Sequence, residues 1–389
     1  MRAAVIGAGA IGAFYGGVLA DAGADVSFVA RGKTLEAIRG HGLRIVGNTE
    51  VTLDVPATDN SAEIGQVDVV LMCTKTFQVA DAARTHLSAL MGPDTLVVTT
   101  QNGVIAPRVL AEIIGAEHVA PGVCREWVKI IEPGLIMDLG GPRMLEVSTM
   151  DDSPNPIIDE LRAACETASI VSPVIDDITT TLWVKMCSVV PQGACGAVLD
   201  VALGDLLSTY RDIFARCIDE TVHVARGHGA KIADDFVEKN LRFLAGQDPA
   251  STTSFQRDIL AGRPSEYAAQ VGAVPGLGDE VGVDTPVNDV IATVHGTSGS
   301  RQSGLIRDTH RVLEEPPCPF VKTPQRQPWV LRRFHVSPQG LSGGKVGTCL
   351  QSSLRAREPR NQDSCRTGCP TPPSLTTSRG CQRWPTSIW

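Results

Sequence analysis

No run of 18 or more consecutive apolar residues occurs in this chain, which argues against a membrane span. Missing as well is a basic stretch followed by an apolar core and a small-residue cleavage site. The opening MRAAVIGAGAIG carries one basic residue and enters a strand and then glycines, so a cytoplasmic rather than a secreted protein is expected. The 11 cysteines lack metal-ligand spacing; they read as reduced thiols, and no metal site is expected. Positive charge is scarce in residues 1–298, where 21 Lys and Arg face 38 Asp and Glu, a net of −17. Such a body repels a phosphate backbone, so neither nucleic acid nor a membrane is expected as a partner.

The last 91 residues break with this pattern. They hold 14 Lys and Arg against 5 Asp and Glu, 11 of the 25 prolines and 5 of the 11 cysteines. They lack any sustained hydrophobic period, so residues 298–389 are expected to form a low-order basic tail rather than a packed domain. A basic arm for nucleic acid or an acidic partner, plain disorder, and a frame-shifted or mis-spliced gene end all produce such a segment. An enzyme, if the chain is one, lies in residues 1–298. With 389 residues, 43% hydrophobic and 20% charged, the chain has material for two to three domains and a sizeable core.

What is present begins at once. Arg2 to Ile6 is an apolar strand that runs into Gly7-Ala8-Gly9-Ala10-Ile11-Gly12; a helical pattern follows to Ala22, and Asp25 to Ala30 forms a second strand. This strand–GxGxxG–helix–strand context points to dinucleotide binding. Gly7 permits the tight turn, Gly9 lets the backbone approach a pyrophosphate, and Gly12 lets the helix pack on the strand. The phosphates then meet free N–H groups at the positive end of the helix dipole. An NAD site places an acid at the end of the second strand to hold the ribose 2′-hydroxyl. Here the strand ends in Ala30-Arg31, with Lys33 close behind. A guanidinium at that place suits a 2′-phosphate, so NADPH/NADP+ is the expected cofactor.

Two further strands end in polar residues. Val67 to Cys73 is followed by Thr74-Lys75, and Thr95 to Thr100 by Gln101-Asn102-Gly103. In an open parallel sheet the ligand lies beyond the carboxyl ends of the strands, which puts Lys75 and Asn102 where cofactor and substrate would meet. A solvated loop lysine and a plain Asn-Gly turn give the same pattern.

The second half reads as helical. Thr179 to Leu207 is largely apolar but contains Lys185 between Val184 and Met186. A partly buried lysine there would hold its proton less tightly and donate it more readily near neutrality; a snorkelling surface lysine is the alternative. Pro191, Gly193 and Gly196 predict a break or kink. Further helices are expected over Arg211–Gly227, Ala233–Leu244, Glu266 to about Gly276, and Asp289–His295, with a loop over Gly282–Asn288.

Together these segments resemble the ketopantoate reductase family over about residues 1–297. The resemblance rests on GAGAIG at Gly7–Gly12, Arg31, Lys75, QNG at Gln101–Gly103, LWVK at Leu182–Lys185, TSFQRDILAGRPSE at Thr253–Glu266 and GVDTPVN at Gly282–Asn288. It implies an α/β Rossmann-type N-terminal domain with a parallel sheet over residues 1–172, and an all-α substrate domain over 173–297. It also implies NADPH-dependent reduction of ketopantoate, a 2-oxo acid, to pantoate on the way to pantothenate and coenzyme A. A homodimer is possible through the helical domain. By the same resemblance Lys185 is the catalytic lysine and Glu266 the active-site glutamate. Ser254 contacts substrate, and Asn102 lies between cofactor and substrate. Gly7, Ala8, Gly9, Ala10, Ile11, Gly12, Arg31, Lys75 and Asn102 contact the cofactor. Two positions depart from the family. Asparagines usual four and eight residues after the lysine are Val189 and Gly193 here, which leaves the choice of 2-oxo acid open. An unmet hydrogen bond of that kind costs about 1–3 kcal/mol.

Overall fold

The computed structural model describes residues 1–298; the expected tail lies outside the described residues. The first part of the chain runs β1 (Arg2–Ile6), α1 (Ala10–Asp21), β2 (Asp25–Val29), α2 (Gly32–His41), β3 (Leu43–Gly47), β4 (Val51–Leu53), β5 (Ala57–Thr58), β6 (Val67–Met72), α3 (Val79–Leu90), β7 (Met91–Thr99) and α4 (Ile105–Ile114). It continues through β8 (Val119–Ala120), β9 (Gly122–Arg125), β10 (Val128–Glu132), β11 (Leu135–Asp138), β12 (Met144–Val147) and α5 (Pro156–Thr167). Helices then follow one another: α6 (Ile178–Leu199), α7 (Leu203–Leu207), α8 (Arg211–Gly227), α9 (Phe236–Ala245), α10 (Ser254–Leu260), α11 (Ala273–Val281) and α12 (Pro286–Ser298).

The main sheet has the order β5-β2-β1-β6-β7-β8, with every pairing parallel. Its strands are apolar on both faces because both faces are covered. Ala3 and Val5 of β1 join Phe14, Val18 and Leu19 of α1 in one apolar cluster, while Ala4 and Ile6 join Val79, Leu87 and Leu110 in another. The order of the strands reverses between β1 and β6, so their carboxyl ends open a crevice. Two smaller sheets complete this half: β10-β11-β3-β4, and the antiparallel pair β9-β12.

The helical half packs around α6, which touches α8, α10 and α12. Here the expected break does not occur: α6 is one helix of 22 residues with Pro191 inside it. A proline removes one backbone hydrogen bond, but Met186, Cys187, Val190, Ala194 and Cys195 are all buried around it, and that packing carries the helix. The glycines serve the same packing. A Cβ on Gly193 would lie 2.6 Å from the Thr253 hydroxyl and 3.2 Å from the Phe255 ring, and one on Gly196 2.5 Å from the Gln256 side chain. They let α10 close onto α6. Helix α6 is also long and apolar enough to cross a membrane, with 72% of its most apolar stretch buried inside the protein.

Other expectations shift in detail. The helix expected from Glu266 to Gly276 is instead a 3-10 turn, Tyr267–Ala269, followed by α11. Pro286 opens α12, so the end of GVDTPVN is helical rather than loop; proline's fixed φ suits a first helical turn.

Candidate active site

The three glycines of the first loop divide their work as their surroundings dictate. Gly7 has φ +100°, a backbone region that side chains disfavour, and its N–H donates to the Val29 carbonyl. A Cβ on Gly12 would lie 2.1 Å from the Gly7 carbonyl oxygen and 3.0 Å from Val5, so only glycine lets α1 sit this close to β1. A Cβ on Gly9 would meet nothing within 4 Å. Gly9 caps α1 without any side-chain hydrogen bond, and the first turn carries no acid. The backbone N–H groups of Ala10, Ile11 and Gly12 therefore face an approachable helix end, the arrangement that suits an anionic phosphate. Arg31 follows β2 as the cap of α2; it is exposed and forms no ion pair among the described residues. The loop and the start of α1 fit the phosphates of a dinucleotide.

The loop after β6 lies beside this one. The Cys73 N–H donates to the Ile6 carbonyl at 2.8 Å. Gln101 donates from its amide to the carbonyls of Met72 and Thr74, each at 2.8 Å, and so ties the ends of β6 and β7 together. Asn102, next in the chain, is half-buried, and its amide makes no hydrogen bond among the described residues.

Lys75 and Glu266 are brought together across 191 residues. The Lys75 ammonium lies 3.1 Å from Asp258 and 3.5 Å from Glu266. Glu266, 8% exposed, accepts from the Thr76 N–H at 3.0 Å and the Thr76 hydroxyl at 2.7 Å. Asp258 also pairs with Arg263 at 2.9 Å. This cluster clasps the β6 loop to the α10 region. Ser254 is the first residue of α10 and is exposed, while the preceding Thr253 hydroxyl caps the helix by accepting from the Gln256 N–H.

Lys185 lies two turns into α6. Its half-buried ammonium donates to the Cys124 carbonyl of β9 at 2.5 Å. Burial above all, with the Arg125 charge acting the same way, lowers its pKa from 10.5 to about 8 against the opposing influence of Cys124, Glu146 and Glu266. The group is a cation at neutral pH that releases its proton far more easily than an ordinary lysine. Beneath it Arg125 and Glu146 form an ion pair at 2.7 Å, both under 10% exposed. Burial, partly offset by Lys185, raises the Cys124 thiol to about 11, so that cysteine stays neutral.

Arg125, Glu146, Thr76 and Asp258 are not among the sequence-predicted site residues. Asp258 lies inside the TSFQRDILAGRPSE segment and Thr76 beside Lys75, so position was a signal for both. Nothing in the local sequence marks Arg125 and Glu146, which meet only through the register of β9 on β12. Among the described residues no group of three or more His, Cys, Asp or Glu is placed to hold a metal ion.

The family model described as ketopantoate reductase PanE/ApbA matches residues 3–151, and that of its C-terminal part matches residues 177–296. A 2-dehydropantoate 2-reductase of Halobacterium salinarum is 28% identical over 298 residues, covering 75% of this chain and 97% of its own length. The crystal structure of a 2-dehydropantoate 2-reductase from Geobacter metallireducens superposes with a TM-score of 0.71 at 29% identity, covering 77% of this chain and all of its own. A D-mandelate dehydrogenase reaches a TM-score of 0.70 at 22% identity over 77% of this chain and 99% of its own, a likeness of fold. The chain belongs to the ketopantoate reductase family of oxidoreductases.

Proposed function

We propose that this protein catalyses the NADPH-dependent reduction of the 2-oxo group of ketopantoate to pantoate, a cytoplasmic step towards pantothenate and coenzyme A. In this reading residues 1–172 hold the nucleotide and residues 173–297 supply most of the substrate site. The observation that carries it is Lys185, a half-buried ammonium with its pKa lowered to about 8, held on the Cys124 carbonyl and facing Glu266, which in turn accepts from the loop after β6. Support also comes from 2-dehydropantoate 2-reductases that are 28% and 29% identical to it over 75% and 77% of the chain.

The Gly7–Gly12 loop would receive the pyrophosphate on backbone N–H groups, and Arg31 the 2′-phosphate through charged hydrogen bonds. Bound NADPH would supply a hydride to the carbonyl carbon. Lys185 then has two tasks at the carbonyl oxygen. Its positive charge stabilises the oxygen as it becomes an alkoxide, and its Nζ gives up the proton that makes the hydroxyl. Asn102, whose amide has no partner in the described residues, would orient the carbonyl or Lys185. Glu266 favours the charged form of Lys185 and holds Thr76 and Lys75 in place. Ser254, exposed at the start of α10, would donate to the substrate carboxylate.

A second reading, reduction of a different 2-oxo acid, is favoured by one observation. The face of α6 beyond Lys185 offers half-buried Val189 and then Gly193, which is closed off by Thr253 and Phe255. No amide stands there to meet a substrate hydroxyl. The test is steady-state oxidation of NADPH and NADH by the full chain with ketopantoate beside other 2-oxo acids. The reading predicts NADPH-dependent turnover of ketopantoate, and a loss in Arg31→Ala that falls far more on NADPH than on NADH. Turnover of another 2-oxo acid but not ketopantoate would support the second reading. No turnover of any of them would overturn both.

A further inference from the structure

Lys185 is anchored by backbone rather than by a side chain. Its ammonium donates to the carbonyl of Cys124, and the next residue of β9 is Arg125. Arg125 and Glu146 are buried on the same two-stranded sheet, where Arg125 pairs in register with Met144 and Cys124 with Leu145. Their 2.7 Å ion pair ties β9 to β12 immediately beside the carbonyl that receives the lysine. A buried pair of this kind is weak evidence for stability, because desolvation of two ions offsets most of their attraction. Its place next to the one residue whose proton matters calls for another reason.

We propose that Arg125 and Glu146 are positioning residues for Lys185: their pair fixes the β9 carbonyl that holds the ammonium, and Glu146 cancels the guanidinium charge that would otherwise face it. The proposal rests on Lys185 being the proton donor of the reductase reading. Four groups face Lys185 electrostatically: Cys124 and Arg125 from β9, Glu146 from β12, and Glu266 from the segment after α10. Of these only Arg125 is a cation, and it disfavours the ammonium form, while Glu146 and Glu266 favour it. Glu266 is already engaged by Thr76 and Lys75, and Cys124 stays neutral below a pKa of about 11. Glu146 is therefore the carboxylate that compensates Arg125 where it matters.

The sign of each substitution follows. Glu146→Gln removes the carboxylate that favours the ammonium and keeps the guanidinium that disfavours it, so Lys185 loses its proton at lower pH. Arg125→Met with Glu146→Met removes both opposing influences and keeps an apolar fill, which buried pairs often tolerate. The experiment on the full chain follows the 13C resonance of dimethylated Lys185 against pH, assigned by its loss in Lys185→Ala, together with the pH profile of kcat. Glu146→Gln is expected to move the midpoint down by about one pH unit or more, and the double variant to leave it within about half a unit of the parent. In turnover, Glu146→Gln should lose activity above pH 7 and recover it towards pH 6. An unchanged midpoint in Glu146→Gln overturns the proposal, as does an equal shift in both variants. A shifted resonance in a protein that reduces no 2-oxo acid upholds the positioning and overturns the reductase reading instead. If Glu146→Gln does not fold, Glu146→Asp takes its place: it keeps the charge but shortens the reach, and the proposal then requires lower kcat with an unmoved midpoint.

Discussion

The glycines of the loop after β1 and those of α6 stand in opposite surroundings. Beside Gly9 there is no atom that a Cβ would meet within 4 Å, and the start of α1 is left approachable. Beside Gly193 and Gly196 stands α10, with Thr253 and Gln256 at 2.6 and 2.5 Å from where a Cβ would be. The same residue type keeps space for a ligand in one region and gives it to a neighbouring helix in the other. Whether a glycine faces a ligand is decided by what the fold brings up to it.

The largest expected effect separates the two regions chemically. Lys185→Ala should lower turnover by about 10³-fold while leaving nucleotide affinity within about twofold, since a general acid contributes roughly 10²–10⁴ to rate. Steady-state kinetics and nucleotide fluorescence check this, and a parallel loss of affinity would mean that the regions do not act separately. Next come the loop glycines themselves. Gly12→Ala should cost about 3 kcal/mol in denaturant unfolding, because its Cβ collides with fixed backbone. Gly9→Ala should leave stability within about 0.5 kcal/mol yet weaken nucleotide binding. Equal damage from both would erase the distinction between packing and ligand-facing glycine.

Lys185→Met is expected to stabilise the fold by about 1–3 kcal/mol at pH 7, because a lysine whose pKa falls on folding opposes folding while it is charged. The sign runs with pH. Lys185 titrates near 8 when folded and near 10.5 when unfolded, so the wild type gains stability as pH rises through that window. The advantage of Lys185→Met should therefore shrink above pH 8, as thermal unfolding at several pH values will show. On the α6 side, Gly196→Ala should cost about 1–2 kcal/mol by crowding the buried Gln256 side chain, which donates to the Val201 carbonyl, with nucleotide affinity unchanged.

Much of the fold was legible because its signals are local. The short continuous apolar runs of β1 and β6, the glycine turn, and the 3.6-residue period of α8 act over a few residues each. Of the break or kink expected at Pro191, the break does not occur, for a complementary reason: buried neighbours in α8, α10 and α12 outweigh one missing hydrogen bond. Likewise Glu266 reads locally as a first-turn carboxylate, and its partnership with Thr76 and Lys75 is not revealed by its own helix-forming context.

By itself the sequence determined the strand–loop–helix at Gly7–Gly12, the cation at the end of β2, and a lysine set in an apolar helix. Each of these needs only residue type and spacing. Tertiary structure alone decided where that lysine points, that Arg125 and Glu146 pair beneath it, and that Lys75 reaches Asp258 across 183 residues. Backbone preference and hydrophobic period extend over one or two turns of chain, whereas charge pairs depend on strand register and on how two halves of the chain close.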